Sequence, residues 1–452
     1  MQVSGALDEL VALGKSEKES LGIVHTPQEI RRQPGLWLDT AQRVVARTAD
    51  LRRLLAPIVP GGVSGHGPRP GTRPDASPTR SGAPRADVGA GAEAGAGAGA
   101  GDGWDPAPRG AIVMAGAGTS DYIGRSLEQF LRRRLGTFVD SRPTTDIVTN
   151  PLGVLIPDVP HVIVLFSRSG ESPESIGAFE VVTKVVRDAR FIVITCNPEG
   201  DLARLARRHR DRVLGIELDS RTNDKGLAMT SSATSMMIAG QFLGWLDVPE
   251  EFVLCVSHMA SAAERLLGDL SSRFRAIAAQ PFERAVVLGT GPLHGAATEA
   301  ALKLQELTDG LIITKAETYL GLRHGPEAVI DDHTLVVFFL SSGSSRQRYE
   351  LDLVRELASK DLGLRRVAVT ARAPLGLGGL VDECIEFDPD GRAQVPDDLR
   401  PPVDVVAGQM LGLFKALDLG ISPDEPSARG AINRVVQGVT IYPADVDELQ
   451  CS

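Results

Sequence analysis

Residues 162–172, VIVLFSRSGES, begin with five apolar residues and continue into a polar turn with three serines and a glycine. A short apolar run rich in β-branched side chains predicts a strand that is buried on both faces. Ser172 precedes Pro173, which is typical of an N-cap followed by the first residue of a helix. A loop that joins a strand to a helix N-terminus is also suited to bind an anion. This stretch alone allows both a helix cap and an anion site.

Similar apolar runs alternate with helix-length segments from residue 110 onward. The first three are AIVMAG, VIVLFS and RFIVITC, and the next three are RAVVLGTG, TLVVFFLSS and RRVAVTA. Fully apolar strands that are separated by helices are typical of parallel sheets covered on both faces. We therefore predict an α/β fold.

The α/β pattern occurs twice along the chain. Gly116 and Gly118 of MAGAGTS correspond to Gly289 and Gly291 of VLGTGPL at an offset of 173 residues. The same offset carries the serine loop SRSGES onto LSSGSS at residues 340–345. Two separate loops that share one offset indicate two tandem copies of one structural unit.

The two copies differ in their hydroxyl groups. Thr119 and Ser120 of the first copy are replaced by proline and leucine in the second, and Ser167 is replaced by leucine. Glycines let the backbone approach a ligand, and hydroxyls donate hydrogen bonds to phosphate oxygens. The first copy is therefore the candidate phosphate site, and no GxxxxGK[ST] motif points to a nucleoside triphosphate.

The second copy carries the candidate acid–base groups. Glu299, Lys303 and Glu306 have helical spacing i, i+4 and i+7, which places them on one face. Such a face is either a solvated ladder of ion pairs or a site where a carboxylate acts as a base beside a cation. His324, in LRHGPE, is either a histidine of the core or a turn, or an acid–base group near neutral pH.

Composition narrows the class of protein. The net charge of -10 over 452 residues argues against a nucleic-acid or membrane-surface partner, and no apolar run approaches the length of a membrane span. The four cysteines are scattered, which suits a reducing cytoplasm, and the histidines lack metal-ligand spacing. We expect a cytoplasmic protein without a metal or another cofactor.

Composition also predicts the domain boundaries. Residues 1–56 have the pattern of a helical segment, and residues 57–108 are rich in Gly, Ala and Pro and predict a disordered insertion. The first α/β unit is expected at 109–250, the second at 251–425 and a C-terminal tail at 426–452.

Together these motifs resemble the sugar isomerase (SIS) domain family, and more narrowly its AgaS-type members. The resemblance rests on GAGTS, SRSGES and EAALKLQE, and on HTPQEIRRQPGLWLDTA, LAMTSSATSM, LGLRHGPEAVIDDHTLVVFFLSS and NRVVQGVTIYP. It covers nearly the whole chain except residues 57–108. It implies two tandem SIS units, each a flavodoxin-like three-layer sandwich of a parallel sheet flanked by helices.

The resemblance also implies roles for individual residues. The phosphate of a sugar would be held by the hydroxyl loops, and Thr230 and Ser231 would line the sugar site. The phosphate-binding candidates are Thr119, Ser120, Ser167, Ser169 and Ser172. Glu306 would move a proton between C1 and C2, Lys303 would stabilise the developing negative charge, and His324, from a neighbouring subunit, would assist ring opening.

The activity implied is that of a deaminase acting on galactosamine 6-phosphate to give tagatose 6-phosphate and ammonia. The implied assembly is a homodimer or a higher oligomer. Alternatives are an aldose–ketose isomerase or a deglycase on a related sugar phosphate, and a non-catalytic sugar-phosphate sensor. A glutamine-dependent aminosugar synthase fits poorly, because the first cysteine is Cys196 rather than an N-terminal nucleophile.

Overall fold

Two five-stranded parallel sheets organise the computed structural model, which describes residues 5–59, 110–436 and 438–442. The first sheet comprises β1 (Ala111–Gly116), β2 (Phe138–Pro143), β3 (His161–Ser167), β4 (Ala189–Thr195) and β5 (Val213–Glu217). The second comprises β6 (Arg284–Leu288), β7 (Ile313–Glu317), β8 (Thr334–Phe339), β9 (Arg365–Thr370) and β10 (Glu383–Glu386).

Both sheets have the same strand order. The first runs β2-β1-β3-β4-β5, and the second, read from its β7 edge, runs β7-β6-β8-β9-β10. All pairings are parallel, and Val113 of β1 stands opposite Ile163 of β3. This 2-1-3-4-5 order is the flavodoxin-like one, in which ligands bind at the carboxyl edge where the order reverses. The prediction of two tandem α/β units is confirmed.

Helices cover both faces of each sheet. Those of the first unit are α6 (Thr119–Leu135), α7 (Thr144–Thr149), α8 (Pro151–Val154), α9 (Pro173–Val185), α10 (Asp201–Arg208) and α11 (Ser231–Gln241). Those of the second are α12 (Pro249–Leu267), α13 (Ser271–Ala278), α14 (Pro292–Leu307), α15 (Tyr319–Leu322), α16 (Ser344–Ser359) and α17 (Pro401–Asp418). Helix α14 packs against α17 and, across the boundary between the units, against α6.

The predicted N-terminal helical segment is present. Its helices are α1 (Ala6–Ala12), α2 (Lys15–Leu21), α3 (Thr26–Arg31), α4 (Gln33–Val45) and α5 (Thr48–Leu55). Helix α4 packs against α11 and α12, and the indole of the buried Trp37 donates a hydrogen bond of 2.9 Å to Thr234. Ile58 and Val59 are also buried, so packed structure continues past the boundary expected at residue 56. Most of the predicted insertion lies outside the described residues.

Burial explains why the strands are apolar throughout. Ile112 of β1 belongs to a core that joins the inner faces of both sheets to the N-terminal helices, whereas the next residue, Val113, belongs to an outer core beneath α9. The second sheet has its own outer core, which includes Val286 and Phe338. Among the described helices, none has the length and apolar composition that crossing a membrane requires.

Candidate active site

The hydroxyl-rich loops follow β1 and β3, so both lie at the carboxyl edge where the strand order of the first sheet reverses. The β1 loop turns tightly into α6. A Cβ on Gly116 would lie 2.4 Å from the backbone of Ser120, and Gly118 has φ of +56°, a conformation that favours glycine. The turn therefore brings Ser120 close to the end of β1, and its hydroxyl makes no hydrogen bond to any described residue.

In the serine loop after β3, the side-chain hydroxyls shape the turn. Ser167 Oγ accepts a hydrogen bond of 3.0 Å from the amide of Gly170, and Ser169 Oγ accepts one of 3.2 Å from the amide of Glu171. A hydroxyl that accepts still has its own proton to donate. Ser167 and Ser169 therefore support the loop and can also donate to a bound anion.

Ser172 stands at the N-cap position of α9, as its sequence context predicts, but its side chain makes no capping hydrogen bond. The hydroxyl instead donates to Glu174 over 2.6 Å. Pro173 has no amide proton, and the amides of Ser175 and Ile176 donate to the Ser172 carbonyl. Within the described residues, this turn therefore leaves the amide of Glu174 for an anion, which favours the anion-binding interpretation.

Arg168 places a buried positive charge inside the serine loop. The residue is only 6% exposed, and its guanidinium donates to the backbone carbonyls of Leu227, at 2.9 Å, and Arg434. Among the described residues no carboxylate forms an ion pair with it. Burial and the neighbouring Arg434 lower the pKa of this guanidinium, whereas Asp224 and Glu306 act in the opposite sense. A buried cation in this environment is suited to pair with an anionic ligand.

Glu299, Lys303 and Glu306 do lie on one face of α14, but the face is not a solvated ladder. Glu299 and Lys303 are fully buried, and the Glu306 side chain keeps 18% of its surface exposed. The Lys303 ammonium contacts Glu306 at 2.5 Å and Glu299 at 3.5 Å. Glu306 is therefore the one member of this cluster that a substrate can reach from solvent.

Thr119 connects this cluster to the first unit. Its hydroxyl accepts a hydrogen bond of 3.1 Å from the Lys303 ammonium and donates one of 3.2 Å to Glu299. Both hydrogen bonds cross from α6 to α14. The Thr119 hydroxyl is thus hydrogen-bonded to side chains of α14, unlike the hydroxyls of the other phosphate-binding candidates.

The environment changes the protonation of the cluster. Burial raises the pKa of Glu299 to about 7; Glu306 acts in the same direction, and Lys303 opposes it. Burial alone would lower the pKa of the Lys303 ammonium, but the two carboxylates raise it above its ordinary value. Lys303 therefore stays charged at neutral pH, beside a carboxyl group that titrates there.

Thr230 is the N-cap of α11 and Ser231 is its first residue, and both are fully buried around Asp224. The Asp224 carboxylate accepts from the amide of Thr230 at 2.8 Å and from the hydroxyl of Ser231. The Thr230 hydroxyl has no hydrogen-bond partner in the described part of the chain. Arg434, from the C-terminal tail, donates to the carbonyl of Asp224 at 2.8 Å. Thr230 and Ser231 are thus linked to Arg168 through hydrogen bonds that involve Asp224 and Arg434.

His324 lies apart from the cluster. It occupies an exposed turn after α15, and within the described residues its imidazole makes no hydrogen bond. Of the sequence candidates, the structure brings together Thr119, Lys303 and Glu306, and places the serines at the neighbouring carboxyl edge.

The equivalent loop of the second unit is occupied by the protein itself. The Asp397 carboxylate accepts hydrogen bonds from the amides of Ser342, at 2.9 and 3.0 Å, and Gly343, at 3.2 Å. The buried Arg400 contacts the same carboxylate at 3.3 Å. In the first unit, the corresponding amide of Ser169 donates to no described residue. Within the described residues, the first loop therefore leaves the Ser169 amide for an external anion, whereas Asp397 already occupies the corresponding amide of the second loop.

A cleft of about 730 Å³ lies elsewhere, between α4, α5 and β5. Four of its five arginines have carboxylate partners among the described residues, as in the pairs Arg47–Asp50 at 3.0 Å and Arg207–Glu217 at 2.6 Å. None of the predicted site residues lines this cleft. We therefore assign the candidate site to the hydroxyl loops and α14 rather than to the cleft.

Sequence reasoning overlooked four of these residues: Arg168, Asp224, Asp397 and Arg434. Arg168 had a local signal, because it lies within SRSGES itself. Arg434 and Asp397 had none, because their partners lie 266 and 55 residues away along the chain.

Comparison with known proteins agrees with the architecture. Residues 107–245 match the SIS domain family model. The D-galactosamine-6-phosphate deaminase AgaS of Escherichia coli is 36% identical over 344 residues, which span 74% of this chain and 85% of that protein. The protein of the same name from Shewanella sp. (strain ANA-3) is 34% identical over 74% of this chain and 82% of its own length.

A solved structure with the same fold spans nearly the entire chain. The crystal structure of tagatose-6-phosphate ketose/aldose isomerase from Escherichia coli superposes with a TM-score of 0.75 at 29% identity. The match covers 93% of this chain and 96% of that one. Both units and the N-terminal helices therefore have counterparts in a known structure.

Proposed function

Because this chain belongs to the AgaS family of SIS-domain proteins, we propose that it converts galactosamine 6-phosphate and water into tagatose 6-phosphate and ammonia. The AgaS relatives carry the name of this deaminase, and they align over most of their length. The chain is an enzyme of amino-sugar catabolism. We place it in the cytoplasm, in keeping with its scattered cysteines.

The phosphate of the substrate binds at the first unit. Ser120, Ser167, Ser169 and Ser172 supply hydroxyls, the N-terminus of α9 supplies the Glu174 amide, and Arg168 supplies positive charge. A phosphate dianion at this position would compensate the buried Arg168 guanidinium. This binding holds the sugar with its reacting end toward α14.

Glu306 moves the proton in the proposed reaction. In the open-chain aldehyde, its carboxylate takes the proton from C2, and the electron pair of the C–H bond forms the enolamine. The same carboxyl group returns the proton to C1, O1 takes up a proton from water, and loss of an N–H proton to water leaves an imine at C2. Water then adds to C2, and the C–N bond breaks to release ammonia and leave the ketose. One positioned carboxylate can serve both transfers, because the intermediate is planar.

Lys303 and His324 are proposed to act on oxygen atoms of the sugar. The Lys303 ammonium stabilises the negative charge that develops on O1 as the C2 proton leaves. His324 is assigned to ring opening. Its exposed position outside the cluster supports a contribution from the partner subunit of a homodimer or higher oligomer.

The observation that supports this function most strongly is the pairing of Lys303 with the partly exposed Glu306 on α14. A buried cation beside an accessible carboxylate is what proton transfer next to a carbonyl requires. The Thr119 hydrogen bond to Lys303 connects this pair to the unit that carries the phosphate loops.

The purified enzyme should be assayed with galactosamine 6-phosphate and with glucosamine 6-phosphate, following ammonia and ketose separately. We expect ammonia and ketose in equal amounts from galactosamine 6-phosphate. Absence of ammonia from both amino sugars would refute the deaminase assignment.

A second candidate is simple aldose–ketose isomerisation, the activity named for the Escherichia coli structural relative. The same Glu306 and Lys303 chemistry would serve it, since both reactions share the proton transfer between C2 and C1. Ketose formation from a neutral sugar phosphate, without ammonia from an amino sugar, would favour this candidate.

A further inference from the structure

Glu299 is a buried carboxylate at the back of the candidate site. It is 0% exposed, and it lies one turn before Lys303 on α14. One of its carboxylate oxygens accepts from Thr119 at 3.2 Å and faces the Lys303 ammonium at 3.5 Å. A solvated surface role is therefore excluded for Glu299.

Within the described part of the chain, the second oxygen of Glu299 has no hydrogen-bond partner. Glu299 Oε2 is buried and accepts no hydrogen bond from the described residues. A buried carboxylate oxygen without a partner costs free energy, and such costs are concentrated at functional sites. Packing alone does not explain why an acid stands here.

The Lys303 ammonium is shared between two carboxylates. Glu306 lies 2.5 Å away on the solvent side, and Glu299 lies 3.5 Å away on the buried side. Thr119 fixes the geometry from the other unit, because its hydroxyl bonds to both Lys303 and Glu299. Any attraction that Glu299 exerts on Lys303 weakens the hold of Lys303 on Glu306.

We propose that Glu299 is a positioning residue of the deamination site, which competes with Glu306 for the Lys303 ammonium and so leaves Glu306 free to accept the substrate proton. This proposal rests on the function proposed above. Without a charge at position 299, Lys303 would pair with Glu306 alone, and Glu306 would become a weaker base.

The charge of Glu299 changes near neutral pH, since burial raises its pKa to about 7. The groups that face it are Lys303 and Glu306 on its own helix and Thr119 and Tyr122 on α6. Arg168 acts on the same cluster through Lys303. Above the pKa, Glu299 is ionised and attracts Lys303, so kcat should rise with pH through this region.

The test compares wild-type enzyme with Glu299→Gln, which keeps the shape of the side chain and removes the charge. We expect kcat for ammonia release to fall about tenfold to a hundredfold while KM stays within about threefold. The rise of kcat through neutral pH should disappear. Unchanged kcat and an unchanged pH profile would overturn the proposal, as would a higher KM at unchanged kcat.

Three further variants guard against a folding defect. Thr119→Val removes the hydroxyl that joins Glu299 to Lys303, whereas Thr119→Ser retains it, so Thr119→Val should lower kcat more than Thr119→Ser. Glu180→Gln, on the exposed surface of α9, is the matched control for loss of a carboxylate and should behave as wild type. Equal losses in the two Thr119 variants would contradict the role of the hydroxyl.

A readout without substrate separates this proposal from the proposed function. Carboxyl ¹³C NMR of the wild-type enzyme should show glutamates that titrate near pH 7, and Glu299→Gln should remove one of these signals and change the chemical shift of the Glu306 carboxyl carbon. If the spectra of wild type and Glu299→Gln differ as expected but no ammonia is released, the deaminase assignment alone would be refuted. Ammonia release without these differences would refute the positioning role alone.

Discussion

The Thr119 hydroxyl lies 3.1 Å from the Lys303 ammonium, although 184 residues separate them along the chain. This contact joins the loop at the end of β1 to the helix that carries the candidate base. Neither unit therefore contains a complete site, and substitutions in either should affect turnover.

Glu306→Gln should reduce ammonia release by at least about a thousandfold, because an amide cannot accept the C2 proton. Sugar-phosphate binding should persist, since the phosphate loops lie in the first unit. Calorimetry with galactosamine 6-phosphate checks binding, and coupled detection of ammonia checks turnover. Turnover within tenfold of wild type would exclude Glu306 as the base.

Arg168→Lys should raise KM for the sugar phosphate about tenfold or more while changing kcat less, because a lysine cannot reproduce the forked hydrogen bonds of the guanidinium. Inhibition by inorganic phosphate should weaken in parallel. Arg355→Lys serves as the control, because the Arg355 side chain lies on the exposed face of α16. An unchanged inhibition constant for phosphate would separate Arg168 from the phosphate site.

We expect the free energy of unfolding to fall as pH rises from about 5 to about 8, because Glu29 loses its proton in the folded state over this range. Burial, with Asp224 adding to it, raises the pKa of Glu29 to about 7, so between 4.5 and 7 the folded state holds a proton that the unfolded state has lost. The stabilisation present at low pH is lost in this window, by about 1–3 kcal/mol. Urea unfolding of Glu29→Gln across pH should give a flatter curve, and a curve as steep as that of wild type would contradict this origin.

Asp397→Ala should destabilise the second unit by about 1–3 kcal/mol, because the amides of Ser342 and Gly343 lose their acceptor. Sulfate or phosphate should restore part of the loss by binding in place of the carboxylate. Thermal unfolding with increasing sulfate measures this, and Asp352→Asn, on exposed α16, is the control. Equal responses to sulfate in wild type and Asp397→Ala would show that the loop offers no anion site.

The fold was accessible from sequence because its signals are local. The apolar run at 162–166 is long enough to predict a strand buried on both faces, and the offset between Gly116 and Gly289 indicates the duplication directly. The strand depends on neighbouring residues and the duplication on exact spacing. The structure contains both the strand and the two duplicated units.

The site was accessible only in part because its decisive contacts are distant. Helical spacing placed Glu299 and Lys303 on one face, but it does not reveal that α6 and Thr119 cover that face. Similarly, SRSGES indicates a candidate phosphate loop, but the three backbone carbonyls around Arg168 come from segments far along the chain.

Asp397 bears on how the two halves of the chain could diverge after duplication. A loop of unsatisfied amides is costly once it no longer binds an anion, so its loss of function needed a replacement acceptor from within the fold. Asp397 supplies that acceptor, and Arg400 compensates its charge. A side chain of the second half thus occupies the place of an external anion, and removal of this one carboxylate would open the loop to an anion.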